Sequence, residues 1–203
     1  TRLVPDENGS VDAPTIAAAC RPDTVLVAVM LVNNETGARF PLENAVCGIR
    51  QAAPHAHIHC DAVQAAGKLP LHAGRWGVDS MAVSAHKIHG PKGVGALYIS
   101  PEIIKMKKIL PYIIGGGQES GLRSGTEATA QMAAFAAAAK AGREELERDL
   151  AHLEELNAYA RQELKDQMRF YCFIQYVFHS QWEALRAYAA QMAEKHEDNM
   201  NWD

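Results

Sequence analysis

Residues 24–32 read TVLVAVMLV, nine uncharged positions, four of them valine. A run this short and this rich in β-branched residues reads as a strand covered on both faces, as in a sheet with helices packed on it. Shorter runs of the same kind follow at residues 57–63, 80–86 and 94–99. Between the first two, residues 41–53 set Leu42, Val46 and Ile49 at helical spacing. Strand, helix, strand at this pitch predicts an α/β fold, with a mixed, mostly parallel sheet flanked by helices. Ligands in such sheets sit at the carboxyl ends of the strands. Chemistry-bearing residues fall where each run stops: Asn33 and Asn34, Asp61 through Gln64, and Ser84 through Lys87.

Composition narrows the partners. The 203 residues hold 20 Lys+Arg against 24 Asp+Glu, a formal −4, with 48% hydrophobic. That balance gives no basic footprint, so no nucleic acid is expected. The longest uncharged runs, residues 128–139 and 170–182, fall short of the roughly 18–20 residues that span a bilayer, so no membrane is expected. The opening TRLVPDENG lacks the charged-then-apolar form of a signal peptide. Cys20, Cys47, Cys60 and Cys172 are far apart, with no CxxC pair. They read as reduced thiols in a cytoplasmic setting.

The texture changes after residue 115. Three glycines open a loop that reaches Gly125, and an alanine-rich helix is expected to begin near Thr126. It continues as one long amphipathic helix with Leu146, Leu150, Leu153 and Leu164 on a stripe, and Gly142 is its weakest point. Residues 1–167 form the main domain in this reading. Residues 168–203 are a helix-rich remainder of different character, ending in the polar EDNMNWD.

Four segments could carry chemistry. In SAHKIHGPKG, residues 84–93, Lys87 follows a buried strand inside a Ser-x-His-Lys cluster. It is either a surface lysine in a Gly/Pro turn or a Schiff-base lysine, whose amine must be partly desolvated to act as a nucleophile. In HCDAVQAAGK, residues 59–68, Asp61 is either a helix N-cap or an anion paired with a protonated ring nitrogen. Gln64 would lie one helical turn on, within reach of a ring hydroxyl. In VNNETG, residues 32–37, the asparagines are either a plain turn or ligand contacts beyond the most strand-like run. In GGGQESGLRSGTE, residues 115–127, small residues before a helix suit an anion, or else Thr126 merely caps that helix. A competing constellation, HAHIH, sets His55, His57 and His59 on alternate positions, which a metal centre would require. Pro54 precedes them and no carboxylate completes a shell, so no metal is assigned.

The four segments together resemble the pyridoxal-phosphate cysteine desulfurases, in the class whose later loop reads RSGT, and their selenocysteine lyase relatives. Their order and the 26 residues between Asp61 and Lys87 are similar to that family's, as is the opening VPDENGSVD. The resemblance covers about residues 3–167. It implies the large domain of fold-type I enzymes, pyridoxal 5'-phosphate as cofactor, L-cysteine as substrate and L-alanine as product. The sulfur would leave as a persulfide for iron–sulfur cluster or thio-cofactor assembly. Residue by residue, it implies that Lys87 holds the cofactor as a Schiff base and moves the Cα proton. Asp61 would pair with the pyridinium nitrogen, Gln64 with the ring hydroxyl, and Asn34 would lie near that hydroxyl and the substrate carboxylate. Ser84 and His86 would hold the phosphate. Thr126 would serve the phosphate site of the neighbouring subunit in a homodimer, and a sulfur-acceptor protein is a further implied partner.

The same resemblance sets expectations about what the chain lacks. The family's phosphate-binding turn and ring-stacking histidine would precede Thr1. Its small domain, with a nucleophilic cysteine on a loop and a carboxylate-binding arginine, is not recognisable after the long helix. This places the chain in the middle of such an enzyme, with weak or absent desulfuration expected from these residues alone. A non-catalytic fragment acting as a structural or interaction module is the alternative reading, and a selenocysteine lyase the second.

Overall fold

In a computed structural model, the backbone of residues 1–198 and the side chains of residues 1–192 are described. The last five residues of the EDNMNWD tail therefore lie outside the described residues. The chain divides into two compact units, Thr1–Glu147 and Arg148–Asp203.

The first unit is built on four strands, β1 (Leu26–Met30), β2 (His57–Asp61), β3 (Ser80–Ser84) and β4 (Gly95–Ile99), hydrogen-bonded in that order. β1, β2 and β3 run parallel, and β4 returns antiparallel to β3. The expected mixed, mostly parallel sheet is present. Alternation along β2 sorts its side chains, with Ile58 and Cys60 fully buried and His57, His59 and Asp61 on the opposite face. Against the buried face lies α2 (Leu42–Ala52), which contributes Leu42, Ala45, Val46 and Ile49 to the core. α1 (Ala13–Ala18) is capped by Asp12, whose carboxylate accepts from the Thr15 amide at 2.8 Å. α1 and α2 approach so closely that a Cβ at Gly48 would stand 2.7 Å from that of Ala17.

Two expectations about this unit change. The run at residues 24–32 is not covered on both faces. β1 has a strand neighbour on one side only, and Val25 and Leu26 are 80% and 55% exposed. Nor does the long helix begin at Thr126: α5 spans Thr129–Glu163. Gly125 sits at φ +116, a conformation a helical first turn cannot hold. The first helical bond found here is Met132 N–H to Ala128 O at 2.9 Å.

α3 (Ala73–Trp76) and α4 (Pro101–Lys105) are short connectors. The second unit holds the later turns of α5 and all of α6 (Lys165–Asp198). α5 runs unbroken through Gly142, the weakest point of its sequence. At Leu164 the ladder continues, since Leu164 donates to Ala160 O at 2.9 Å and its carbonyl accepts from Met168 at 2.8 Å. No helix among the described residues is long and apolar enough to cross a membrane.

One ion pair fastens the amino end of the sheet. Asp79 Oδ2 accepts from Arg50 Nη2 of α2 at 2.7 Å and from the Ile58 amide of β2 at 2.7 Å. Arg50 Nη1 also donates to Ala56 O at 2.6 Å. The Asp79 side chain is only 13% exposed, so removing it leaves an amide and a guanidinium without their shared acceptor. Asp79→Ala is expected to cost about 2–4 kcal/mol, read as a lower urea midpoint with an unchanged m-value, while exposed Asp23→Ala leaves the midpoint in place.

Candidate active site

Parallel register brings the polar strand ends together. Met30 pairs with Asp61 and Asp61 with Ala82, so β1, β2 and β3 terminate along one edge of the sheet. The chain leaving β1 is held there by Leu31 N–H donating to Asp61 O at 2.8 Å. Asn33 then folds a turn, its Oδ1 accepting from the Glu35 and Thr36 amides, both at 2.9 Å. Asn34 stands exposed at the head of that turn.

Asp61 is half-buried at the end of β2. One carboxylate oxygen, Oδ1, accepts from the Val63 amide at 3.0 Å and starts the turn that follows. The capping reading of Asp61 is thus met in part. Ala66 donates to Ala62 O at 2.9 Å, so Gln64 lies within a single helical turn beyond Asp61.

After Ser84 the chain tightens into a 3-10 turn, Ala85–Lys87. Ala85 is fully buried, and its carbonyl accepts from both Ile88 (3.0 Å) and Gly90 (2.9 Å). A Cβ at Gly90 would come within 2.9 Å of the Ala85 Cβ, so this closure requires glycine. Ser84 Oγ and His86 Nδ1 are 2.7 Å apart. With the imidazole donating in this bond, the serine hydroxyl hydrogen is left for an anion. Lys87 projects from the turn with an exposed side chain. The desolvation expected of a nucleophilic lysine is therefore not supplied by this chain's own atoms.

Thr126 is not brought to this edge by any bond of its loop. Ser124 Oγ donates to Gly116 O at 2.8 Å, the Ser124 amide to Ile113 O at 3.1 Å, and the Gly125 amide to Gln118 Oε1 at 3.2 Å. The loop closes on itself and leaves Thr126 exposed ahead of α5.

The histidine stripe resolves differently. His57 Nε2 and His59 Nδ1 both meet the buried Ser80 Oγ, at 2.7 and 2.8 Å, while His55 stands exposed ahead of β2. Among the described residues no three His, Cys, Asp or Glu side chains converge on a point. Sequence reasoning passed over Lys68, whose Nζ donates to the Lys87 carbonyl at 3.3 Å. The Gly-Lys pair closing the Asp61 segment was its only signal. Gly67 there has φ +69, and a Cβ on it would meet Ile88 Cγ2 at 2.8 Å.

The residues at the strand ends are of the chemical types that a pyridoxal phosphate cofactor would need. Asp61 offers a carboxylate, Gln64 an amide, Ser84 and His86 a hydroxyl–imidazole pair and Lys87 an exposed amine. The aminotransferase class-V family matches residues 1–193. The chain belongs to this family.

Within the class-V family its relatives are cysteine desulfurases. A probable mitochondrial cysteine desulfurase of Schizosaccharomyces pombe is 43% identical over 159 residues, which cover 77% of this chain and 30% of the relative. The mitochondrial cysteine desulfurase of Arabidopsis thaliana is 46% identical over 151 residues, 73% of this chain and 32% of the relative. The solved structure of a NifS-like protein superposes with a TM-score of 0.76 at 36% identity, covering 82% of this chain and 44% of that one. The structure of SspA in complex with cysteine gives 0.64 at 35% identity, over 69% and 39%. The chain thus spans about a third of the length of the curated relatives it matches.

Among the thiols, Cys60 adjoins the site but cannot serve it. Burial, with the neighbouring Asp61 carboxylate, pushes its thiol up to about 12. Because this exceeds the ordinary 9.0, the buried neutral thiol stabilises the fold fully below pH 9, and that contribution is lost as the pH climbs toward 12. With iodoacetamide at pH 8, exposed Cys47 and Cys172 are expected to be alkylated in the native protein and Cys60 only after denaturation. Native labelling of Cys60 at a comparable rate, seen by peptide mass spectrometry, would contradict this.

Proposed function

We propose that this chain is the cofactor-holding part of a pyridoxal-phosphate-dependent cysteine desulfurase. Such an enzyme converts L-cysteine to L-alanine and passes the sulfur on as a persulfide, for iron–sulfur cluster or thio-cofactor assembly. The observation that supports this reading is that β1, β2 and β3 end at the same side of the sheet, with Asn34, Asp61, Gln64, Ser84, His86 and Lys87 at or just beyond those strand ends. The cysteine desulfurase relatives and the cysteine-bound SspA structure support it.

When bound, the cofactor would withdraw electrons from the bonds at the substrate Cα. The chain's own residues do the rest. Lys87 Nζ, on a turn locked by buried Ala85, is the nucleophile that holds the cofactor and then the base that takes the Cα proton. Asp61 keeps a negative charge against the ring nitrogen. Gln64 orients the ring through its hydroxyl, Asn34 stands between that hydroxyl and the substrate carboxylate, and the Ser84–His86 pair holds the phosphate. The persulfide-forming thiol is not Cys60, which stays protonated at working pH. Lys87 is exposed in one chain, so we place a second copy over this edge, with Thr126 serving the partner's phosphate site in a homodimer.

Addition of pyridoxal phosphate is expected to give a visible absorption band that L-cysteine perturbs. Borohydride should then fix the adduct on Lys87, as read by peptide mass spectrometry. Lys87→Ala should lose both signals. An equal band in Lys87→Ala, or an adduct spread over other lysines, overturns the assignment.

Asp61 gives a separate test. Asp61→Ala removes the charge opposite the ring nitrogen, worth about 1–3 kcal/mol. Cofactor affinity should fall roughly 10- to 100-fold while the thermal midpoint moves little. Unchanged affinity would remove Asp61 from the site.

A further inference from the structure

The backbone of Lys87 is held on both sides of its Cα. On the amino side stands Ala85, fully buried at the start of the 3-10 turn. On the carboxyl side three contacts converge. Ile88 N–H donates to Ala85 O at 3.0 Å. The Ile88 side chain lies so close over Gly67 that a Cβ there would stand 2.8 Å from its Cγ2. Lys68 Nζ donates to the Lys87 carbonyl itself at 3.3 Å. The last two contacts come from adjacent residues of the segment that leaves Asp61. That segment is bonded in its turn: Ala62 donates to Ala82 O of β3 at 2.9 Å, and the buried Ala65 carbonyl accepts from Lys68 (3.0 Å) and Leu69 (2.9 Å). Gly67, at φ +69, bends the chain in a way that glycine alone adopts freely, and its missing Cβ admits Ile88.

We infer that Lys68 is a positioning residue: its ammonium pins the Lys87 backbone to the Asp61 turn and so fixes the separation of carboxylate and amine. The link itself rests on the contacts above, and its purpose rests on the proposed function. A surface lysine ordinarily contributes little, because a long side chain loses freedom in forming one bond. Here both ends of the bond are placed beforehand. Ala65 and Gly67 fix where the Lys68 side chain starts, and Ala85 and Ile88 fix where its acceptor stands. Only the side chain itself is left to order.

The sheet does not supply this link. The β2–β3 ladder ends at Asp61 and Ala82, short of the turn that carries Lys87. In the proposed function Asp61 and Lys87 engage opposite ends of one rigid ring, a nitrogen at one end and an aldehyde at the other. Two groups that must be engaged at once gain from being held at the right separation in advance, since less freedom is lost on binding. Lys68 joins the two turns at the point where the ladder has stopped.

The test compares the full chain with Lys68→Met, which keeps the stem and loses the donor, and Lys68→Arg, which keeps a cationic donor. Without cofactor, the Ile88 and Gly90 amides of Lys68→Met should exchange hydrogen about 10-fold faster, while β1 is unchanged. Affinity for pyridoxal phosphate should also fall about 10-fold, the worth of one hydrogen bond to a charged group. Lys68→Arg should recover most of both losses, and the thermal midpoint should move little in either variant. In an Asp61→Ala background the affinity loss from Lys68→Met should shrink to about 3-fold or less, because the separation no longer matters once one anchor is gone. A lysine that only stabilised the fold would give the same factor in both backgrounds. Unchanged exchange in Lys68→Met, no recovery by arginine, or an equal loss in the Asp61→Ala background each overturns the inference. A wild-type chain that fixes no pyridoxal phosphate on Lys87 overturns the proposed function instead, and the exchange comparison still decides the link between the turns.

Discussion

The register of three parallel strands is the constraint on which the rest of the first unit depends. Met30 pairs with Asp61, and Asp61 with Ala82. Shifting β2 by one residue would send Ile58 and Cys60 to the open face and bring Asp61 into the core. Burial of Ile58 and Cys60 against α2 forbids that slip. At the amino end the Asp79 carboxylate ties β2 to Arg50 of α2 and fixes the same register from the other side. The chemistry at the carboxyl edge thus inherits its geometry from apolar burial and one ion pair at a distance from it.

Much of this was legible in sequence because short apolar runs ending in polar residues leave few topologies open. The residues 24–32 gave the strand but not its environment. A continuous apolar run cannot tell a strand flanked on both sides from an edge strand, and β1 is at the edge among the described strands. Asp61 and Lys87 were legible because strand ends in a parallel sheet converge. Lys68 was not, since a lysine bonded to a backbone carbonyl leaves no pattern in sequence. Thr126 was legible only through resemblance: its loop bonds to itself, and nothing local fixes where it points.

The histidines show how period-2 spacing can mislead. His57 and His59 do share a face, as alternation on a strand demands. Facing the same way is necessary for a metal site but equally sufficient for a shared hydroxyl, and Ser80, the β3 residue paired with His59, supplies one. A single hydroxyl has one hydrogen to donate, so the two rings cannot both accept from it. At least one must donate to Ser80 Oγ, which binds their tautomers together.

The two units obey opposite rules of burial. In the first, alternation of two sorts β2 into buried Ile58 and Cys60 and polar His57, His59 and Asp61, and the apolar face finds its cover within the chain. In the second, an equally regular period of three and four leaves Leu153, Leu185, Phe178 and Tyr188 exposed. Among the described residues nothing covers these side chains, so the pattern of the second unit is read from its sequence and not from its packing.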